Sequence, residues 1–288
     1  SRIAISSAPR NNISHKTQAS PFYPQLIHCN LHKTQHRATI LVFKTHLAHI
    51  MSLPCHTVAA IGFIQSPYKQ KFGVARQPGL VPAAEVVLPL LPIYGADCVR
   101  GLAEFDYVWL QFVFHGVVEE GWSPLVRPPR LGGKQKMGVF ATRSPHRPNH
   151  LGLSLLKLER IEVDKQVRLY LSGADLLDGT PVLDIKPYIP FVEAKPEACS
   201  GFVAGPPPLL QVCWLPEAEQ AFQAASLGAD FRLLLEQSIA QDPRPAYQNI
   251  QERIYVMHLA STDVYFRIDQ QIAWVVDLKP HLETIKGF

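Results

Sequence analysis

The sequence lacks the features that mark a membrane protein or a disulfide-bonded protein. No stretch of 18 or more residues is continuously apolar, which excludes a helical membrane span. The five cysteines are an odd number without a C-x-x-C pair, which argues against a zinc site and a disulfide framework and favours a reducing compartment. The common glycine motifs for phosphates and dinucleotides are missing, as are the zinc-protease and serine-hydrolase signatures.

Acidic residues are absent from the first 50 positions, which hold six Lys or Arg and six His. Subtracting those six leaves 22 basic against 24 acidic residues in the rest of the chain. The alkaline character therefore belongs to the N-terminal segment and does not make the whole molecule a polycation for nucleic acid. Because Met51 precedes the first strand pattern, we expect residues 1–50 to be an upstream or non-native leader without ordered structure. A transit peptide or a signal sequence is the alternative.

Short strands joined by proline and glycine turns are expected between residues 57 and 195. The segment Glu104–His115 is almost continuously apolar and aromatic, as in a strand buried on both faces or wrapped into a barrel. Helical periods are scarce here, so the sequence predicts a mainly β fold built on a small barrel or curled sheet. The strand candidates are 58–64, 104–115, 151–161, 166–172 and 182–188.

A different pattern follows between residues 198 and 280, after a proline-rich linker at Gly205–Pro208. Pro216 with acids in the next turn marks a helix start. We expect helices at 216–226 and 229–241, then short strands at 253–260, 264–269 and 271–278, the last two joined as a hairpin. A small α+β C-terminal domain fits this pattern.

The segment Gly121–Leu158 contains seven basic residues and no acid, and it is rich in proline and glycine. Such a segment presents guanidinium groups and backbone N–H groups on a loop, which suits phosphate or an anionic ligand. A solvated basic surface loop is the alternative. The basic residues are Arg127, Arg130, Lys134, Lys136, Arg143, Arg147 and Lys157.

Acidic side chains surround the turn Gly179–Pro181, and a histidine ends the aromatic strand. Asp178 could accept a hydrogen bond from a ribose or an amino group while the nearby backbone contacts an adenine edge; alternatively, it caps its own backbone in an Asx turn. Asp175 and Asp184 flank the same turn. His115 is a site residue at a barrel mouth or a structural histidine, and the sequence leaves both open.

Several long motifs in the right order resemble the TsaA-like (TrmO) tRNA methyltransferases. The resemblance covers about Val58 to Glu193 and extends to Gln241–Tyr247, and the chain departs from it at His150, where the family more often has proline. The motifs are Ser66–Lys69, Arg76–Leu80, Val126–Gly133, Met137–Ser144, Arg147–Asn149 and Asp178–Tyr188.

The resemblance implies a single-sheeted β-barrel that binds S-adenosylmethionine. It also implies N6-methylation of threonylcarbamoyl-adenosine beside the anticodon of threonine tRNA, by a homodimer. We further expect a cytoplasmic location and no metal. A non-catalytic RNA-binding module and an S-adenosylmethionine-dependent enzyme with another acceptor are the competing interpretations.

The expected reaction and the charge pattern suggest a proton acceptor and tRNA contacts, and the resemblance implies the cofactor contacts. Asp178 or His115 is the expected acceptor of the N6 proton, and the tRNA contacts are expected at Arg127, Arg130, Lys136 and Arg147. The expected cofactor contacts are Gln77, Pro78, Gly79, Leu80, His115, Gly116, Arg143, Leu151, Asp178, Gly179, Thr180 and Pro181.

Overall fold

Twelve β-strands and three α-helices make up the part of the chain that the computed structural model describes, namely residues 56–203, 205–245 and 253–282. The expected leader at residues 1–50 lies outside these ranges. None of the described helices has the length and apolar character needed to cross a membrane.

The N-terminal part forms a six-stranded antiparallel sheet in the order β1-β8-β3-β6-β7-β2. Single bridges from Gly62 to Leu90 and from Gln65 to Val87 connect its two edge strands, so the sheet closes almost completely. This confirms the predicted small barrel. Its strands are β1 (Gly62–Phe63), β2 (Val86–Pro89), β3 (Tyr107–Val113), the separate pair β4 (Leu125–Val126) and β5 (Met137–Gly138), β6 (Leu151–Val163), β7 (Val167–Ser172) and β8 (Pro181–Pro187).

Two of the predicted strands are shorter than the sequence indicated. The apolar run 104–115 forms a strand only over β3, because 3-10 turns begin at Leu102 and at His115. The predicted strand 58–64 is regular only over β1. There Ile61 donates its N–H to Val182 of β8 but accepts from Leu91 beside β2, so this segment divides its hydrogen bonds between two strands as it closes the barrel.

The C-terminal part packs two helices against a four-stranded sheet in the order β10-β11-β12-β9. Both predicted helices and the last three predicted strands are confirmed, including the hairpin between β11 and β12. A short helix α1 (Pro190–Glu193) precedes this part. The elements of the C-terminal part are β9 (Gln211–Trp214), α2 (Pro216–Ala224), α3 (Ala229–Ala240), β10 (Ile254–Leu259), β11 (Thr262–Asp269) and β12 (Ile272–Pro280).

The loop after β1 belongs to the core of the C-terminal part. Tyr68 is fully buried there, forms a bridge to Leu259 of β10, and its hydroxyl lies 2.9 Å from the Ser238 hydroxyl. Burial raises the pKa of Tyr68 to about 12. Because this loop also leads into the barrel, the C-terminal core helps to fix where the barrel loops lie.

Candidate functional site at one rim of the barrel

One rim of the barrel carries the strand ends next to the residues predicted from the sequence. The last residue of β3, Val113, pairs with the first residue of β6, Leu151. At the same rim β2 begins and β7 ends, since Val86 pairs with Leu171. Antiparallel neighbours alternate in direction, so every second strand delivers its loop here. We call this end the site rim, and the loops that leave it are 64–85, 114–150 and 173–180.

The predicted loop Gln77–Leu80 is held against the segment 173–180. Gly79 donates its N–H to the carbonyl of Gly173 at 2.8 Å, with a φ of +78° that favours glycine. A Cβ at Gly79 would meet nothing within 4 Å, so a ligand can approach this backbone. The Arg143 guanidinium donates to Gln77 Oε1 at 2.7 Å and brings the basic segment to the same place.

Asp178 connects two loops of the site rim. Its Oδ1 accepts from the backbone N–H of Ser66 at 2.8 Å, and its Oδ2 lies 2.9 Å from the ammonium of Lys69. The carboxylate therefore anchors the loop that follows β1. It does not cap its own backbone in an Asx turn, which was the alternative expected from the sequence. Both of its oxygens therefore already have partners within the protein.

The backbone of the turn at residues 178–180 is already hydrogen bonded through its N–H groups. These groups donate to the carbonyl oxygens of Tyr68 at 2.9 Å, Ile64 at 2.8 Å and Leu177 at 3.2 Å. A ligand at this turn would therefore meet carbonyl oxygens and side chains, since the backbone donors are in use.

His115 and Gly116 lie beside the same turn. His115 is half-buried at the start of the 3-10 turn that follows β3, and none of the residues the structure describes makes a hydrogen bond to its ring. A Cβ at Gly116 would stand 3.6 Å from the Leu177 side chain, which places the two segments side by side. Leu151, the first residue of β6, is 46% exposed at this rim. The predicted cofactor residues thus lie on loops and strand ends of one rim.

Asp175 lies on the loop 173–180 of the site rim, and its surroundings were not evident from the sequence. Its Oδ1 accepts a hydrogen bond at 2.7 Å from the hydroxyl of Ser154. Ser154 is 1% exposed and faces into the barrel from β6. Burial raises the pKa of Asp175 to about 6, against the opposing effects of the Ser154 hydroxyl and of Arg143. Only the three-dimensional fold brings Ser154 and Arg143 to this carboxylate.

Asp184, which the sequence grouped with Asp175 and Asp178, lies elsewhere. A cavity of about 630 Å³ opens at the opposite end of the barrel, where Asp184 lines it together with Tyr94 and Arg100. The side chain of Asp184 also accepts from the Ile185 N–H at 2.9 Å. None of the predicted cofactor residues lines this cavity.

The basic segment divides into side chains with internal partners and side chains without them. Arg130 donates to the carbonyl of Gly205 at 2.5 Å, and Arg147 donates to the carbonyl of Thr142 at 3.3 Å. Over the described ranges, Arg127 and Lys136 have no hydrogen-bonded or ionic partner. Of the four predicted tRNA contacts, these two are the most available to a ligand.

The departure from the family pattern at His150 has a conformational counterpart. His150 has a φ of +49°, which the ring of a proline could not adopt. Its Nδ1 lies 3.0 Å from the carbonyl of Pro145. The loop before β6 therefore has a conformation that proline at this position would exclude.

One group of side chains within the described ranges could approach a metal ion, and it lies on the C-terminal sheet. It consists of His258, Asp263 and His281. The two rings stack with centroids 3.6 Å apart, and His281 Nδ1 lies 2.8 Å from Asp263 Oδ1. The Asp263 carboxylate already has a partner in the His281 ring.

Comparisons with known proteins match both the N-terminal and the C-terminal part of the chain. The family model of the tRNA-methyltransferase O N-terminal domain matches residues 63–194, and that of the TrmO C-terminal domain matches residues 207–281. A tRNA (adenine(37)-N6)-methyltransferase of Eikenella corrodens is 64% identical over 171 residues, which cover 59% of this chain and 95% of that protein. The tRNA (adenine(37)-N6)-methyltransferase of Escherichia coli K12 is 45% identical over 226 residues, 76% of this chain and 96% of that one. A crystal structure of TrmO from Pseudomonas aeruginosa superimposes with a TM-score of 0.66 at 38% identity, covering 79% of this chain and 100% of that chain.

Proposed function

The chain belongs to the tRNA-methyltransferase O family, and we propose that it methylates N6 of threonylcarbamoyl-adenosine at position 37 of tRNA, with S-adenosylmethionine as the methyl donor. The observation that supports the site most strongly is the convergence of three loops on the site rim. There Gln77 bonds to Arg143 at 2.7 Å, and Gly79 bonds to Gly173 at 2.8 Å.

The chemistry of the rim fits the proposed cofactor. Arg143 can pair with the carboxylate of the cofactor through a charge-assisted hydrogen bond. The open face of Gly79 lets the flat ring of the cofactor approach the backbone. Asp175 is half-buried by surface exposure and offers a carboxylate to a cation. When bound, S-adenosylmethionine supplies a methyl group on a positively charged sulfur. We propose that it is held by Gln77–Leu80, His115–Gly116, Arg143, Leu151 and Asp178–Pro181.

The main task of these residues is to hold the two reactants in line, which can supply about 7–11 kcal/mol of a barrier in well-oriented systems. The N6 group must lose its proton as it is methylated. Of the two predicted acceptors, His115 has a ring without a hydrogen-bond partner among the described residues, whereas both oxygens of Asp178 are engaged. We therefore propose His115 as the acceptor, and Asp178 as the residue that holds the loop.

The tRNA contacts are proposed at Arg127, Arg130, Lys136 and Arg147, which lie on the basic segment Gly121–Leu158 beside the site rim. Neutralised phosphates release counterions, so such contacts give affinity that falls with salt. The internal bonds of Arg130 and Arg147 make Arg127 and Lys136 the larger contributors.

The test combines a calorimetric titration with S-adenosylmethionine and a methyl-transfer assay on tRNA that carries or lacks threonylcarbamoyl-adenosine. The proposal predicts binding, and transfer only to the modified tRNA. Binding with transfer to another acceptor would show a related enzyme of different specificity. Absence of binding would favour the non-catalytic RNA-binding module.

We also propose that the protein works as a homodimer in the cytoplasm, where tRNA is modified. Large exposed apolar side chains support a partner surface, such as Leu153 on β6 at 52% exposure and Phe140 on the loop 114–150 at 78%. Light scattering coupled to gel filtration should give twice the chain mass, and Leu153→Glu should lower it if the outer face of β6 takes part.

A further inference from the structure

The two carboxylates of the segment 173–180 have different electrostatic surroundings. Asp178 has an ammonium partner, Lys69, at 2.9 Å. Asp175 has no cation within 4 Å among the described residues, and its one side-chain partner is the uncharged hydroxyl of Ser154. An ionised, half-buried carboxylate without a cation is unfavourable unless a ligand completes it.

Asp175 also lies at the mouth of the barrel. Ser154 points into the barrel from β6, so the Asp175 oxygen that accepts its hydrogen bond faces the barrel interior, while Asp175 itself stands on the loop 173–180 of the site rim. The charged and titratable groups that act on Asp175 are Arg143, whose guanidinium is bonded to Gln77, and Tyr68, a neutral phenol at physiological pH. The segment between Asp175 and Gly179 also carries Leu177, which lies against Gly116.

We propose that Asp175 is the counter-charge for the sulfonium of S-adenosylmethionine, and that it makes the site rim prefer this cation over the neutral thioether S-adenosylhomocysteine. This inference rests on the proposed function. A sulfonium has no hydrogen to donate, so it suits a carboxylate whose hydrogen-bond partner is already supplied by the protein, here Ser154. Loss of the cation's charge after methyl transfer then favours exchange of the product for fresh cofactor.

Proton competition gives the proposal a specific signature. The pKa of free Asp175 is about 6, and a bound cation favours the ionised form. Affinity for S-adenosylmethionine should therefore weaken about tenfold between about pH 7.5 and pH 5, as the carboxylate is protonated. The amino-acid and adenosine parts are common to both ligands, so the ratio of their dissociation constants isolates the sulfonium.

The experiment measures Kd for both ligands by calorimetry at the two pH values in the wild type, in Asp175→Asn, and in Asp184→Asn as the control at the opposite end of the barrel. The proposal predicts that, in the wild type and in the control, the preference for S-adenosylmethionine decreases when the pH is lowered from about 7.5 to about 5. In Asp175→Asn the preference should be about tenfold lower and independent of pH.

Ser154→Ala provides a second readout that keeps the charge. Since the Ser154 hydroxyl lowers the pKa of Asp175, its removal should shift the loss of preference to higher pH. A preference in Asp175→Asn equal to that of the wild type at both pH values would overturn the inference. If the wild type bound neither ligand, the proposed function itself would fail, which is a distinguishable result.

Discussion

The C-terminal part and the site rim differ in whether their charged side chains have ionic partners within the protein. In the C-terminal part, Arg232 lies 2.6 Å from Glu219 and 2.9 Å from Glu236, and its guanidinium is 4.3 Å from the Trp214 ring. At the site rim, Asp175 has no ionic partner within the described residues, and Arg127 extends from its loop without one. Charges with a complete set of partners stabilise the fold, whereas charges without one are available to a ligand.

Removing the unpaired charge at the rim should have the largest effect on stability, and the effect should be favourable. The folded-state pKa of Asp175, about 6, exceeds its ordinary value of 3.8. Its stabilising contribution is therefore complete at low pH and is lost as the pH rises through about 6. Asp175→Asn should gain about 1–3 kcal/mol at neutral pH and nothing below about pH 4. Urea unfolding across this range measures the gain, and a loss of stability at neutral pH would contradict the comparison.

Removing the paired charge should have the opposite sign. Arg232→Ala should lose about 1–2 kcal/mol, because it breaks two ion pairs and a cation–π contact at a partly exposed site. The matched control is Arg100→Ala, which removes a single ion pair, to Asp97, between two exposed side chains and should matter less. Thermal unfolding compares the two variants; equal losses would remove the distinction between a complete network and a single surface pair.

The free basic side chains should affect tRNA binding and leave stability unchanged. Arg127→Ala combined with Lys136→Ala should weaken tRNA binding about tenfold or more and reduce the salt slope by about 2. Filter binding at several salt concentrations measures both quantities. Arg130→Ala, which also removes an internal bond to Gly205, provides the contrast: it should lower the melting temperature as well.

The smallest effect is expected where the C-terminal part contacts the rim. Gln241, directly after α3, donates to the carbonyl of Leu80 at 2.8 Å, and Arg76 donates to the carbonyl of Asp242 at 3.0 Å. Gln241→Ala should loosen the loop Gln77–Leu80 and weaken S-adenosylmethionine binding about fivefold, as the loss of one hydrogen bond implies. Unchanged affinity would mean that the barrel holds this loop without the C-terminal part.

These contacts give Gln241 and Asp242 a structural role beyond the family motif to which they belong. The sequence motif Gln241–Tyr247 by itself indicates only a resemblance to the tRNA methyltransferases. In the structure its first two residues hold the loop that carries the proposed cofactor contacts. Ala246 and Tyr247 lie outside the described residues.

Periodic elements could be predicted from the sequence because their burial pattern is local. Helix α3 and the hairpin of β11 and β12 were found in this way. Strand β9 was missed, since four residues carry little periodicity and it is defined by parallel pairing with β12 about 60 positions away. Asp175 was seen as one of three acids, but its role depends on Ser154 and Arg143, which only the tertiary fold brings to it.

The most direct test of the account is a crystal structure of the chain with S-adenosylmethionine bound. The account predicts electron density for the ligand at the site rim, against Gln77–Leu80 and the turn at Asp178, with the sulfonium near Asp175. Density in the 630 Å³ cavity at the opposite end of the barrel, beside Asp184, would contradict it.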